Sequence, residues 1–219
     1  MTFNFSEECE EYQVSEQLAR KIDEKLFPLL EIALIRNPTF NMFLSNEMHE
    51  ANRMIINNFA VFQQLFDKVK AQLELEPKEI AVIFSIDYLI KTESLFTHIV
   101  DVIALTLISN GMTLTAPRTE KEIVLPDEIR LVPLGTKLDF LKGHGFPIIA
   151  NSCCVRLRNS SAHLSYTIDN AGNIHLPQGD IIKIFDGMNE YHDKLRDVAI
   201  GGHIALRHFY YEKYGKNKA

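Results

Sequence analysis

The sequence predicts an all-α fold, a bundle of long helices to which an irregular arm and a small β-hairpin are added. Three observations indicate this fold. Apolar residues recur at helical spacing through most of the chain, glycines and prolines cluster between residues 112 and 145, and a turn-forming stretch lies within residues 166–176. With 219 residues, 46% of them hydrophobic, the chain is long enough to bury one core. We therefore expect a single helical domain over residues 1–219.

Two N-terminal helical stretches are predicted. Ser15 is a typical N-cap residue, and Pro28 should bend the helix that follows it. This helix should end at Asn37, because the next residue is a proline. Residues 39–75 keep helical periodicity and contain no glycine or proline. They are therefore predicted to form one long helix or two joined ones.

A third helix is predicted from Pro77, which suits a first helical turn, to about Asn110, where Gly111 can end it. The helix is mostly apolar, but polar residues recur along it at spacings of four and three. These residues are Asp87, Lys91, Ser94, His98 and Asp101. Two interpretations are open: this polar stripe is a solvated face, or it lines an internal cleft. Glu93 lies beside the stripe.

The region after the third helix changes in character. Residues 112–145 form the predicted irregular arm, because prolines and glycines separate its short apolar segments. Within the arm, Thr136 and Asp139 stand at near capping-box spacing and predict a short helix. Pro147 should begin a further helix that continues through residues 148–166.

The C-terminal part is predicted to contain a β-hairpin and a last helix. Residues 166–176 alternate in polarity around a turn at residues 170–173. The last helix should extend from Gly179 or Asp180 to about Tyr214, with an interruption at Gly201-Gly202. Its basic and aromatic end is suited to stacking on bases, but helical spacing favours a role in closing the core or a dimer interface.

Charge and cysteine content exclude several classes of protein. The formal net charge of −6 excludes a basic coat for non-specific nucleic-acid binding, although it leaves room for a small local cluster of cations. No apolar run reaches the roughly 18 uncharged residues of a membrane span, and the N-terminus lacks a basic start. We therefore expect a cytoplasmic protein without membrane contact. Cys9, Cys153 and Cys154 form no C-x-x-C pair, which predicts reduced thiols and no metal site.

Reactive polar residues are concentrated in residues 156–163. If this stretch is one helix, Arg156, Asn159 and His163 share a face, whereas Arg158 lies about 140° round from His163. An imidazole with a pKa near 6.5 can transfer a proton at neutral pH, and a guanidinium can hold a phosphate through two parallel hydrogen bonds. The pattern indicates a small site for phosphate chemistry.

Residues 158–163, Arg-Asn-Ser-Ser-Ala-His, resemble the R-N-x-x-x-H motif of HEPN domains, the higher eukaryote and prokaryote nucleotide-binding helical bundles. Arg156 satisfies the looser form of that motif, with six residues before the histidine. The helical order and an acidic residue on a long upstream helix are also similar to the family. The resemblance implies a HEPN-like core at about residues 77–214, with N-terminal helices at 15–75 and an inserted arm at 112–145.

The activity that this resemblance implies is that of a metal-independent endoribonuclease without a cofactor. A ribose 2′-OH attacks the adjacent phosphodiester and leaves a 2′,3′-cyclic phosphate and a 5′-OH. His163 would transfer a proton, Arg158 would stabilise charge on the phosphorane, and Asn159 would orient the histidine or the substrate. Glu93 is the candidate for the acidic residue that the family places near the motif, with Asp101 as the second candidate.

Two further residues are expected to support the site. Helical geometry selects Arg156 as the phosphate ligand, whereas the resemblance selects Arg158, and we favour Arg158 with Arg156 in support. One interpretation of His98 on the third helix is that it approaches His163, but we expect it to be a core or cleft histidine.

The resemblance also implies a homodimer with two motifs facing one cleft, and RNA or a nucleotide as the ligand. A toxin or antiviral effector of this kind would have an antitoxin-like protein partner. The alternative is a non-catalytic nucleotide- or partner-binding regulatory module in which Arg158 and His163 hold the ligand. A third interpretation is a helical interaction protein without a small-molecule site, which predicts that His163 is buried against apolar neighbours.

Overall fold

The computed structural model describes residues 3–54, 64, 68, 74–117, 120–183 and 188–215. It begins with three helices, α1 (Phe5–Tyr12), α2 (Glu16–Arg36) and α3 (Phe40–Met54). The predicted N-cap of α2 is confirmed, because the Ser15 hydroxyl accepts a hydrogen bond from the Leu18 amide at 3.3 Å. The sequence pattern did not predict α1. Most of the second predicted stretch after Met54 lies outside the described residues.

The central helix contains an irregular turn. Helix α4 (Pro77–Lys91) starts at the predicted proline, a π-helical turn covers Thr92–Phe96, and α5 (Thr97–Ser109) follows. Within the π-helical turn, Ser94 has non-helical torsion angles, φ −88° and ψ −108°. One extra residue in a turn rotates the helix faces beyond it by about 100°. The polar stripe is therefore divided between two faces of the bundle.

The arm contains more regular structure than its composition indicated. After a bridge between Thr115 and Glu122, the chain forms α6 (Pro126–Ile129) and α7 (Leu134–Gly143). Helix α7 packs against α5, so the arm is attached to the central helix. The predicted short helix is confirmed as α7, but Thr136 does not cap it, because the helix begins two residues earlier.

The motif lies on a short helix. Helix α8 (Pro147–Ala150) begins at the predicted proline, and the chain then turns before α9 (Val155–Ala162) starts. The prediction of one continuous helix over residues 148–166 is wrong. The Cys154 amide donates a hydrogen bond to the Tyr88 hydroxyl on α4 at 2.7 Å. This tertiary contact replaces the helical hydrogen bond that a continuous helix would require.

The predicted β-hairpin is confirmed and gains a third strand. Strand β1 (Thr167–Ile168) pairs with β2 (Ile174–His175), which pairs with β3 (Ile181–Ile182), and both pairings are antiparallel. The prediction that the last helix begins at residue 179 or 180 is wrong. Gly179 has a φ of +89° and turns the chain back, so that Ile181 and Ile182 pair with β2.

The last helix, α10 (Met188–Tyr214), packs along α2. The predicted interruption at Gly201-Gly202 is wrong, because the glycines allow close helix packing instead. A Cβ atom at Gly202 would lie 2.6 Å from Cγ2 of Ile99 on α5, closer than packed atoms approach. The central helix is long and apolar enough to cross a membrane, but 78% of its apolar window is buried within the protein. The described residues therefore form a mostly helical fold with one small antiparallel sheet around a buried central helix.

Candidate functional site

One side of helix α9 is buried against the bundle, and the other side faces the surface. Leu157, Ser160 and Ser161 are buried and hold the helix against the bundle, with α4 as its main helical neighbour. The residues between them, Arg158 and Asn159, are partly or fully exposed. Because alternate parts of the helix are buried, the exposed pair is held in a defined position at the surface of the bundle.

Arg158 contacts the predicted upstream acid. Both its Nε and Nη2 atoms donate to Oε1 of Glu93, which lies in the π-helical turn. Its Nη1 atom donates to Oδ1 of Asn159 at 2.8 Å. Three of the predicted site residues are therefore in direct contact, although they come from two helices 65 residues apart in the chain.

These three residues lie on one wall of a cleft of about 860 Å³. Most of the other lining residues come from the arm, including its cationic residues Lys121, Arg130 and Lys137 and several apolar residues. A cleft of this size accommodates a small ligand such as a nucleotide. The arm, which the sequence marked as an addition to a minimal bundle, thus contributes most of the residues that line the candidate site.

The three arm cations that line the cleft are paired with carboxylates. The pairs join Lys121 to Glu128, Arg130 Nη2 to Glu47 Oε1 at 3.0 Å, and Lys137 Nζ to Asp101 Oδ1 at 2.5 Å. The hydrogen bond from Lys121, together with those from two backbone amides, lowers the pKa of Glu128 to about 2. That carboxylate is therefore charged at neutral pH. An anionic ligand would have to compete with such carboxylates for the cations of the cleft.

His98 and Asp101 lie in a neighbouring cleft of about 450 Å³, which shares Glu93, Arg130 and Lys137 with the first. Both side chains are buried, and the hydrogen bonds and ion pairs found among the described residues link them to Glu47 and Lys137. His98 Nδ1 lies 2.9 Å from Oε2 of Glu47, and its Nε2 lies 2.7 Å from the Glu47 carbonyl oxygen. The expectation of a core or cleft histidine is confirmed. Asp101 binds Lys137, so Glu93 and not Asp101 is the acid beside the motif.

Burial disfavours the charged form of His98, but the hydrogen bonds and charge of Glu47 outweigh burial and raise the pKa of His98 above its usual 6.5. Burial also raises the pKa of the Asp101 carboxyl, against the lowering effect of Lys137. Both pKa shifts arise from burial and from the partners Glu47 and Lys137 inside the bundle, so they are no evidence for a catalytic role of His98 or Asp101.

The polar stripe of the central helix is buried along its whole length, so its interpretation as a solvated face is wrong. Before the π-helical turn, Asp87 binds Lys91 Nζ at 2.8 Å and His192 Nδ1 at 2.9 Å. Burial favours the neutral acid, but hydrogen bonds from His192 and Lys91 hold the pKa of Asp87 below its usual value. The sequence could not identify His192 as the partner, because it lies about 100 residues further along the chain.

Arg156 does not join the candidate site. Its Nη1 atom donates to Oδ2 of Asp180 at 2.5 Å, near the β-sheet, and its side chain is exposed. The three residues predicted to share a helix face, Arg156, Asn159 and His163, are all exposed on α9 or at its C-cap. The ion pair with Asp180, however, holds the Arg156 side chain outside the 860 Å³ cleft.

His163 is the C-cap residue of α9. Its backbone amide donates to the Asn159 carbonyl at 3.1 Å, and its side chain is exposed. The residue after it, Leu164, has a φ of +50° and ends the helix. His163 does not line the 860 Å³ cleft. The interpretation that it is buried against apolar neighbours is wrong.

Sequence reasoning missed the arm cations and Glu47. Their charges were visible in the sequence, but no spacing rule connects residues on separate elements to the two adjoining clefts that they line. Comparisons of the chain with protein-family models, with curated proteins and with solved structures found no match. The site's geometry and the motif residues are therefore the basis for a functional proposal.

Proposed function

We propose that the protein is a HEPN-like, metal-independent endoribonuclease of the cytoplasm that acts as a homodimer. One observation carries the proposal: the Arg158 guanidinium lies between Glu93 and Asn159 on the wall of a nucleotide-sized cleft. A guanidinium can exchange a carboxylate for a phosphate with similar bidentate geometry. Arg158 is thus placed to take an RNA phosphodiester in exchange for Glu93.

The proposed reaction breaks the bond between phosphorus and the 5′-oxygen. The ribose 2′-oxygen attacks phosphorus, its proton passes to a base, and the leaving 5′-oxygen receives a proton. His163 transfers one of these protons, because an imidazole nitrogen can act as a general base or a general acid. Arg158 stabilises the negative charge on the phosphorane, and Asn159 orients the substrate. In the homodimer, a second copy brings its own motif to the same RNA and doubles the local cationic charge.

The test is cleavage of single-stranded RNA by the purified protein in the presence of EDTA. The expected products carry 2′,3′-cyclic phosphate and 5′-OH ends. His163→Ala should abolish cleavage, whereas His49→Ala, which changes another exposed histidine, should not. A folded dimer that cleaves none of a broad panel of RNAs would contradict the nuclease proposal.

A second candidate function is supported by a different observation. The cleft cations are paired with carboxylates, and His163 lies outside the cleft. Such a cleft suits a non-catalytic module that binds a nucleotide or a partner's acidic group. This function predicts a nucleotide-dependent rise in melting temperature that Arg158→Ala removes, without RNA cleavage by the wild type. Only the nuclease proposal includes a biological role as a toxin or antiviral effector with an antitoxin-like protein partner.

A further inference from the structure

A second groove, of about 610 Å³, lies where α1 and α3 meet the end of α10. We call it the tyrosine groove, because its lining includes Phe3, Tyr210, Tyr211 and Tyr214. The expectation that the aromatic end of the chain closes the core holds for Phe209, which is fully buried. The three tyrosines instead line a surface groove that the proposed nuclease activity does not use.

The aromatic rings of the groove form two neighbouring pairs. Tyr210 and Tyr214 are one helical turn apart, and their ring centroids lie 4.7 Å from each other at an angle of 45°. On the other side, Phe3 and Tyr211 have centroids 6.0 Å apart at 51°. Tilted ring pairs at these distances present both ring faces and ring edges to a groove. Ring faces carry negative potential and attract cations.

The charged residues of the groove, like its ring faces, favour a cationic ligand. Its lining contains two carboxylates, Glu7 and Glu8, one guanidinium, Arg207, and the imidazole of His49. Arg207 Nη1 binds Glu8, so these two charges offset each other. The Glu7 carboxylate has the Asn4 side-chain amide as a neighbour, at 3.5 Å. The groove therefore retains one carboxylate in excess beside its aromatic rings, which disfavours phosphate groups and favours a cation.

We propose that the tyrosine groove binds an organic cation of the quaternary ammonium type. Aromatic side chains with a nearby carboxylate are the combination that recognises such groups, because a weakly hydrated cation loses little on leaving water and gains cation–π attraction. The ligand has two sources, a free small molecule such as choline or a trimethylated lysine in a peptide. A nucleotide fits this groove poorly, since its phosphate would meet Glu7 and Glu8.

The first experiment is a calorimetric titration of the full chain with choline and with 3,3-dimethyl-1-butanol, its neutral isostere. Choline is expected to bind at least about tenfold more tightly, a difference of about 1.4 kcal/mol. A trimethyllysine peptide and its unmodified lysine counterpart distinguish the two sources. Equal binding of choline and the isostere, absence of binding by all cations, or preference for adenosine monophosphate would each overturn the proposal.

The second experiment compares matched tyrosine variants. Tyr210 and Tyr191 are 36% and 37% exposed, but Tyr191 lines a different cleft. Tyr210→Ala should weaken cation binding about tenfold, Tyr210→Phe, which keeps an aromatic ring, should weaken it less, and Tyr191→Ala should leave it unchanged. Glu7→Gln should also weaken binding of the cation but not of the isostere. A Tyr210→Ala variant that binds the cation as the wild type does would overturn the assignment of the site.

Discussion

Two of the ion pairs that join the central helix to other elements differ in burial. Lys137 on α7 binds Asp101, and their side chains are 3% and 10% exposed. Arg158 on α9 binds Glu93, and their side chains are 26% and 43% exposed. Both pairs join a cation from a later element to a carboxylate of the central helix. The first pair is almost fully buried beside the clefts that Lys137 lines, and the second is partly exposed on the wall of the larger cleft.

The difference shows that burial decides whether an ion pair mainly stabilises the fold or keeps a cation available for a ligand. A buried pair has no water to replace a lost partner, so each charge depends on the other. A partly exposed pair is screened by water and contributes little to stability, so its cation can exchange partners at little cost. The π-helical turn supports this division, because it places Glu93 beside α9 and turns Asp101 towards α7.

The largest expected effect is on the buried pair. Lys137→Met leaves the Asp101 carboxylate buried without its cation and should lower the free energy of unfolding by about 3–5 kcal/mol. Chemical denaturation measures this change. Lys142→Met, at an exposed position of the same helix, is the control and should have little effect. The double variant with Asp101→Leu should recover most of the loss; if it does not, the ion pair is not the source of the effect.

The exposed pair should respond in activity rather than in stability. If the proposed nuclease function is correct, Arg158→Ala lowers the cleavage rate about 10²- to 10³-fold, the effect of losing a group that stabilises transition-state charge. Its unfolding free energy should change by less than about 1 kcal/mol. Arg156→Ala provides a matched control two residues away and should leave cleavage unchanged. If only Arg156→Ala abolished cleavage, Arg156 and not Arg158 would be the phosphate ligand.

A buried histidine, unlike either ion pair, has no bonding partner for its side chain among the described residues. His203 on α10 is fully buried, and within the described residues neither ring nitrogen has a hydrogen-bond partner. Burial, with smaller contributions from Arg207 and His98, lowers the pKa of His203 to about 3. The unfolded chain binds this proton near pH 6.5 and the folded chain does not. Stability should therefore fall as the pH decreases below 6.5, by about 1.4 kcal/mol per pH unit from this residue.

The measurement compares wild type with His203→Leu by chemical denaturation between pH 7 and 4. Other groups titrate in both proteins, so the informative quantity is the difference between their unfolding free energies. That difference should shift in favour of the variant as the pH decreases. A pH-independent difference would show that His203 is protonated equally in the folded and unfolded states.

The smallest expected effect concerns His98. Its pKa is raised in the folded protein because Glu47 outweighs the effect of burial. The stabilisation from the charged imidazole is then complete below pH 6.5 and is lost as the pH rises through the folded-state pKa. The stability deficit of His98→Gln should therefore shrink between pH 6 and 9 in denaturation experiments. A constant deficit would mean that His98 contributes through packing and neutral hydrogen bonds alone.

The sequence predicted the parts of this protein that depend on local interactions. The cap at Ser15, the start of the central helix at Pro77 and the hairpin around residues 170–173 all involve residues close together in the chain. Glu93 could also be named in advance as the acid beside the motif, but this prediction came from the resemblance to HEPN domains and not from periodicity. Membership of that family remains a proposal supported by the motif residues and by the contact between Glu93 and Arg158.

Only the tertiary structure decided which arginine faces the cleft and what opposes it. The hydrogen bond from Cys154 to Tyr88 shortens the motif helix, and Asp180 draws Arg156 towards the sheet. Helical angles computed for a continuous helix cannot include such contacts, because they join residues far apart in the chain. For the same reason, the buried partners of Asp101 and His98 could not be read from the stripe. Local periodicity determined which residues form helices, whereas long-range packing determined which charged groups are accessible to a ligand.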